Sequence, residues 1–209
     1  MEGAKDAEGD LPKKIKEYFN IEFTQAVHRL DVPVTGCSLF AVNPESLKYL
    51  NSVFARKTAK SAVKKYWAIT EKPAKEINKT GELIHWIETN PKINKSFAYD
   101  TEKKGRKKAV LKYKIKGEGQ NYIFIDVDLF TGRHHQIRSQ FASNGLFIKG
   151  DLKYGAKRGE KNGGIRLHSR TLCFPDPLSK NVIINITCDP PLIDNLWNEF
   201  IRIDNLGAN

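Results

Sequence analysis

The chain has 209 residues, of which 40% are apolar, so it is long enough to bury the core of one domain. Its 35 Lys and Arg residues exceed its 24 Asp and Glu residues, and the formal net charge at pH 7 is +11. A basic balance of this size favours a polyanionic partner, and nucleic acid is the leading candidate. No run approaches the roughly 20 apolar residues of a membrane span, so we expect no membrane partner.

The three cysteines Cys37, Cys173 and Cys188 are widely spaced and lie in apolar runs. An odd number without a CxxC pair argues against a disulfide framework and against a zinc knuckle. We expect buried free thiols in a reducing compartment. Because the first residues also lack the apolar core of a signal peptide, the sequence predicts a cytoplasmic protein.

The first predicted feature, in chain order, is a segment of small and charged residues. Residues 1–10 are expected to be disordered, and a single domain is expected over residues 11–205. Apolar residues at helical spacing predict helices over residues 10–20 and from Asn43 to Phe54. Apolar or alternating runs predict strands over residues 37–42, 64–70, 82–88, 109–116, 121–129, 166–174 and 182–186. Asp189, followed by two prolines, predicts the cap of a last helix.

The alternation in residues 121–129 is the clearest strand signal. Ile123, Ile125, Val127 and Leu129 recur with a period of two, which predicts one buried face. Glycines 117 and 119 predict a hairpin to the preceding strand. The sequence therefore predicts an α+β fold, in which helices flank a mostly antiparallel mixed sheet.

Two polar segments are candidates for chemistry. Residues 28–36 combine an imidazole, a cation, a carboxylate and a hydroxyl, with Asp31 at the centre, just before the predicted strand at 37–42. Residues 131–138 join a strand to a helix, and such a junction favours phosphate binding. Asp31 is also compatible with a simple turn cap. The adjacent His134 and His135 do not predict a metal site, because neighbouring side chains on a helix point about 100° apart.

A basic segment leads into the predicted strand at 64–70. Lys57, Lys60, Lys64 and Lys65 precede two aromatic residues, a combination that RNA-binding grooves use for phosphates and bases. A solvated turn explains the same lysines. The basic loop at 103–108 allows the same two interpretations.

Five segments, in this order, resemble the motifs of the RluA-like pseudouridine synthases. They are His28-Arg29-Leu30-Asp31, Lys65-Tyr66 with Ala68, Gly132-Arg133-x-His135-Gln136-Ile137-Arg138, Gly150-Asp151-x-x-Tyr154-Gly155, and Leu167-His168 with Phe174-Pro175. The resemblance covers roughly residues 11–200. His134 replaces a Thr of the family pattern, and Val34-Thr35-Gly36 replaces its usual Thr-Ser-Gly. We expect the domain to lack the family's first strand and the Lys-Pro-Ala-Gly turn that accompanies it.

The resemblance implies a role for several residues. Asp31 matches the catalytic aspartate, and Arg138 matches the arginine that pairs with it. Arg29 matches the arginine that replaces the extruded uridine in the RNA stack. Tyr66 matches the tyrosine that packs against the target base, and Leu167 matches an apolar residue of the pocket.

Further residues of the same motifs are predicted to contact the substrate: His28, Thr35, Arg133, His135 and Gln136. The resemblance implies conversion of specific uridines of ribosomal or transfer RNA to pseudouridine. That isomerisation includes no redox step and no hydrolysis, so we expect no cofactor and no metal. We expect a monomer.

Two other functions fit the same residues. The first is a catalytically inactive RNA-binding module with the same fold, which the missing first strand would favour. The second is a metal-dependent nuclease or phosphatase that uses Asp31, His28, His135 and His168. The retained Asp, Tyr and Arg argue against the first alternative, and the lack of a second acidic ligand argues against the second.

Overall fold

The structure, a computed structural model, describes residues 11–55, 62–191 and 194–206. The predicted disordered segment 1–10 and the predicted cationic residues Lys57 and Lys60 lie outside the described residues. The elements are α1 (Leu11–Phe19), β1 (Gln25–Ala26), β2 (Thr35–Gly36), β3 (Phe40–Ala41), α2 (Pro44–Ala55), β4 (Val63–Glu71), β5 (Thr80–Asn90), β6 (Lys95–Tyr99), β7 (Lys107–Glu118), β8 (Tyr122–Leu129), α3 (Gln136–Ser143), a 3-10 turn (Leu152–Tyr154), β9 (Leu167–Pro175), β10 (Ile183–Thr187) and α4 (Asn195–Leu206).

One large sheet organises the domain. Its main path has the order β10-β9-β4-β8-β7-β5-β6, and neighbouring strands on this path are antiparallel. The short strand β2 adds a parallel pairing with β9. This arrangement confirms the predicted α+β class with a mostly antiparallel mixed sheet.

The two faces of the sheet carry separate apolar clusters. On one face, the alternating residues of β8 pack with Ile137 and Phe141 of α3. On the other face, Trp67 and Phe124 pack with Phe200 of α4. The period of two in β8 therefore separates a face under α3 from a face under α4, and the first of these faces carries the site described below.

The predicted single strand over residues 37–42 is wrong. In this segment, β2 pairs with β9, and the following residues form β3 against β1 in a separate two-stranded sheet. Gly36 has a φ of 118°, and a Cβ atom at this position would lie 2.3 Å from the carbonyl oxygen of Ser169. The apolar run at residues 37–42 predicted a strand, but it contained no signal that the chain leaves β9 after Gly36 and then pairs with β1.

The predicted start of the last helix is also wrong. Helix α4 begins at Asn195, where Asp194 accepts the N–H of Trp197 with its carboxylate at 3.1 Å. Asp189 instead forms an ion pair with Arg170. Both aspartates are suitable helix caps, and the helix uses Asp194, which follows the two prolines. Residues 192 and 193 lie outside the described residues.

The segment at 82–88 is part of a strand that is longer than we predicted. Strand β5 has 11 residues and pairs with β6 on one side and β7 on the other. No helix within the described ranges is long and apolar enough to cross a membrane.

Candidate active site

A cavity of about 590 Å³ opens between the segment at 27–34 and the segment at 129–138. Its volume is within the usual range of small-ligand pockets. Nine of the ten predicted site residues line it: His28, Arg29, Asp31, Tyr66, Arg133, His135, Gln136, Arg138 and Leu167. The fold thus brings residues from both polar segments and from two central strands to one place.

Asp31 lies at the centre of this cavity wall. Its carboxylate oxygen Oδ2 is 3.3 Å from Nη1 of Arg138 and 3.8 Å from Nε2 of His135, and its side chain is 15% exposed. Its carbonyl oxygen accepts the N–H of Val34 at 2.9 Å, which closes a turn. The turn is made by the backbone, so the carboxylate of Asp31 stays available to a ligand.

Arg138 is fixed by a second carboxylate that we did not predict as a site residue. Its Nε and Nη2 atoms donate to Oδ2 and Oδ1 of Asp151 at 2.6 and 2.8 Å, and both side chains are almost fully buried. Burial lowers the pKa of Arg138, but the hydrogen bonds and charges of Asp151 and Asp31 outweigh this effect and raise it. Asp151 therefore sets the orientation in which Arg138 reaches Asp31. The Gly150-Asp151 motif was the available signal for this role.

His135 is neutral at physiological pH. Burial and the nearby charge of Arg138 lower its pKa to about 3. Its Nδ1 atom is 3.0 Å from the hydroxyl of Tyr154, which also accepts the backbone N–H of Ser96 at 2.8 Å. This contact connects the cavity wall to the β5–β6 hairpin through Tyr154.

His134, the departure from the family pattern, is positioned by the same hairpin. Its Nδ1 atom is 2.8 Å from the hydroxyl of Ser96, and its ring stacks on His135 with a centroid distance of 3.8 Å. Burial lowers its pKa. The two histidines therefore present stacked, neutral rings rather than a pair of cations.

Tyr66 is buried on β4, next to a bulge in the pairing of β4 with β9. Burial raises its pKa to about 12, and the negative charge of Asp31 acts in the same direction. At neutral pH its hydroxyl therefore keeps its proton. Tyr66 can pack and donate a hydrogen bond, but it is not a base in this state.

Gln136 lines the cavity, and its side chain also holds the loop before α3. Its Oε1 atom accepts from the hydroxyl of Thr131 at 2.8 Å and from the N–H of Arg133 at 3.0 Å, and its Nε2 atom donates to the carbonyl of Val110. Since the Arg133 amide is used in this way, it is not a ready phosphate donor. Arg133 lines the cavity, and its Nε atom donates to the carbonyl of Lys108 at 3.0 Å.

His28 and Thr35 connect the loop at residues 28–36 to neighbouring backbone and to β9. Nε2 of His28 accepts the N–H of Leu39 at 3.1 Å, and burial lowers the pKa of His28 to about 4. Thr35 is not among the residues that line the cavity. Its hydroxyl donates to Nδ1 of His168 at 2.8 Å, because Nε2 of His168 donates to the carbonyl of Cys188 at 3.0 Å.

The charged residues at the cavity are mostly cations. Arg29, Lys64 and Arg133 line it together with Arg138, whereas Asp31 is the one carboxylate among the described residues that line it. Burial and the charge of Arg133 lower the pKa of Lys64. The sequence predicts Lys64 as part of the basic segment, but not as a site residue. This surrounding field favours a polyanionic ligand.

The four residues of the metal-dependent alternative do not form one cluster. His28 and His168 have both been placed in hydrogen bonds that support the loop, and only His135 lies near Asp31. Across residues 11–55, 62–191 and 194–206, no three His, Cys, Asp or Glu side chains are arranged to hold a metal ion.

Comparisons with known proteins agree on one family. A family model described as RNA pseudouridylate synthase matches residues 3–143. Ribosomal large subunit pseudouridine synthase C of Rickettsia conorii is 32% identical over 175 residues, which are 81% of this chain and 54% of that protein. Ribosomal large subunit pseudouridine synthase D of Buchnera aphidicola is 27% identical over 79% of this chain and 54% of that protein. The chain therefore spans about half the length of these relatives.

The fold is also similar to that of a solved structure. Human RNA pseudouridylate synthase domain containing 4 superposes with a TM-score of 0.68, at 21% identity, over 92% of this chain and 81% of that chain. At this identity the likeness shows a shared fold.

Proposed function

The chain belongs to the RNA pseudouridylate synthase family, and we propose that it converts uridine in structured RNA to pseudouridine. The observation that carries this proposal is the position of Asp31 in the cavity, 3.3 Å from an arginine that a second carboxylate orients.

The proposed reaction is an isomerisation. The bond between N1 of uracil and C1′ of ribose breaks, the base turns, C5 bonds to C1′, and the proton on C5 is replaced by one on N1. A carboxylate can serve this sequence as a nucleophile, as a base, or as a stabilising charge. Each of these roles requires an ionised Asp31 that is not fully neutralised by its partner.

The charges around Asp31 meet that requirement. Arg138 directs its two shorter hydrogen bonds, of 2.6 and 2.8 Å, to Asp151, and only Nη1 approaches Asp31. The three side chains together carry a net charge of −1. Arg138 therefore positions Asp31 while most of its own charge is compensated by Asp151.

The remaining wall suits an extruded base. Tyr66 and Leu167 supply buried apolar surface, and the hydroxyl of Tyr66 is a donor rather than a proton acceptor. Extruding a base from an RNA stack costs a few kcal/mol in general. We propose that Arg29, which is exposed beside the cavity, recovers part of this free energy by filling the vacated position.

We propose ribosomal or transfer RNA as the substrate, and a monomer in the cytoplasm as the active form. The net charge of +11 and the cations at the cavity support an RNA partner. The free thiols among the described residues support a reducing compartment. Size-exclusion chromatography with light scattering tests the proposed oligomeric state, because it measures the mass of the protein in solution.

Asp31→Asn tests the centre of the proposal. Because the turn is closed by the backbone of residue 31, the variant should fold and bind RNA normally, whereas pseudouridine formation should fall to background. Asp204→Asn is the matched control, since Asp204 pairs with Lys116 at 3.0 Å on the α4 face of the sheet. An Asp31→Asn variant with wild-type turnover would refute the proposal.

Chemical mapping of pseudouridine identifies the substrate. Unmodified ribosomal and transfer RNA, incubated separately with the wild-type protein, should acquire pseudouridine at defined positions in one of the two pools. A wild-type protein that binds both pools and modifies neither would support the inactive RNA-binding module instead.

A further inference from the structure

Two thiols meet at the end of the loop formed by residues 28–36. The Sγ atoms of Cys37 and Cys188 are 2.9 Å apart although the residues are 151 positions apart in sequence. Both cysteines are free. Cys37 directly follows β2, and Cys188 directly follows β10. The contact therefore joins the end of the loop at residues 28–36 to the edge of the sheet.

Strand β9 fixes the backbone of both thiols. The N–H of Cys37 donates to the carbonyl of Ser169 at 2.8 Å, and the N–H of Cys188 donates to the carbonyl of Arg170 at 3.0 Å. Consecutive carbonyls of one strand thus hold the two cysteines. Their contact follows from backbone pairing and does not depend on a side-chain rotamer alone.

We propose that Cys37 and Cys188 are a modification site at which a peroxide oxidant closes a reversible disulfide. A disulfide bond is about 2.05 Å long, so the sulfurs need to approach by less than about 1 Å. The surrounding backbone already places the two residues on the same side of β9. This site is independent of the pseudouridine chemistry.

The two sulfurs have different roles in the proposed reaction. Burial raises the pKa of Cys37 to about 12, with a further rise from its contact with Cys188, so Cys37 stays protonated. Cys188 is less buried, and its sulfur accepts the S–H of Cys37. Cys188 is therefore the sulfur that meets the oxidant, and Cys37 is the sulfur that resolves the intermediate.

The reaction with hydrogen peroxide balances in two steps. The sulfur of Cys188 attacks one peroxide oxygen, the O–O bond breaks, and one water leaves while Cys188 becomes a sulfenic acid. The sulfur of Cys37 then attacks the sulfur of Cys188, its proton passes to the departing hydroxide, and a second water leaves. Two thiols lose two electrons and two protons, and a dithiol reductant reverses the change.

Tryptic mapping tests the proposal, because trypsin separates the three cysteines into the peptides 30–48, 171–180 and 181–202. The native protein is treated with stoichiometric hydrogen peroxide, alkylated and digested without reductant. We expect one linked peptide pair, 30–48 with 181–202, that disappears after dithiothreitol. Alkylation of both peptides as free thiols, or a linkage that contains 171–180, would overturn the proposal.

Matched variants separate the pair from the third cysteine. Cys173→Ser should still form the linkage, whereas Cys37→Ser should stop at a sulfenic acid on Cys188 that dimedone labels. Cys188→Ser should form no linkage, which keeps the test conclusive if Cys37→Ser folds poorly. Because the disulfide would close a very long loop, we expect the wild-type melting temperature to rise by roughly 5–15 °C on oxidation. Cys173→Ser should show the same rise, and an unchanged melting temperature in both proteins would contradict it.

Discussion

Asp151→Asn is the sharpest test of how the site is built, because it changes the group that orients Arg138 and leaves both Arg138 and Asp31 in place. The substitution keeps one oxygen that can accept a hydrogen bond, and it removes the charge opposite a guanidinium that is 4% exposed. Of the two carboxylates that contact Arg138 in the native site, the variant keeps only Asp31, which lies 3.3 Å from Nη1. The expected consequence is a shift of the guanidinium toward Asp31.

The magnitude follows from the burial of the pair. Breaking a buried ion pair by removing one partner typically costs about 3–5 kcal/mol of stability. Asn retains one of the two hydrogen bonds, so we expect a loss of about 2–4 kcal/mol in the free energy of unfolding. If about 2 kcal/mol of that interaction passes to the Arg138–Asp31 pair, the reacting carboxylate is stabilised by the same amount, which predicts a roughly 30-fold slower reaction.

The assay combines urea unfolding with single-turnover pseudouridine formation well below the melting temperature. Asp128→Asn is the control, because its ion pair with Lys65 at 3.2 Å joins side chains that are 44% and 43% exposed. We expect the control to lose less than about 1 kcal/mol and to keep its rate. Wild-type stability and wild-type turnover in Asp151→Asn would refute the role that we assign to this carboxylate.

Three further predictions concern the same site and its surroundings. Arg138→Lys should fold but lose at least about 100-fold in turnover, because an ammonium group cannot replace a planar guanidinium that contacts two carboxylates. Near-normal turnover would exclude Arg138 as the partner of Asp31. RNA affinity should fall steeply with salt, and Arg133→Gln should reduce the slope of the log–log plot by about 1, whereas a flat wild-type dependence would contradict a basic RNA surface. The free energy of unfolding should fall as the pH drops from about 6.5 toward 4. The folded-state pKa of His28, about 4, and that of His135, about 3, lie below the ordinary value, so the unfolded chain binds more protons in this range. His28→Gln should flatten that pH dependence in urea titrations, and an unchanged dependence would contradict the assignment.

Local patterns in the sequence were sufficient for most elements. The alternation in residues 121–129 predicted β8 and its buried face under α3, but not the second buried face, where Phe124 packs under α4. The spacing of apolar residues after Asn43 predicted α2. These signals are local, because strand and helix periodicity depend on which side of one element is buried. The same local signals failed at residues 37–42, where the chain changes partner, and at Asp189, where a second aspartate caps the helix.

The sequence by itself pointed to nine of the residues that line the cavity, because five motifs stand in the order of the family pattern. Only the tertiary structure decided how those residues are used. Asp31 and Arg138 are 107 positions apart, and the adjacent central strands of the sheet, together with the packing of α3, bring them within 3.3 Å. The same packing assigns Asp151 to Arg138 and Thr35 to His168, since a buried polar group needs a partner and only the folded chain determines which partner is near. Residue type sets what a side chain can do, and long-range contacts select which of those possibilities this protein uses.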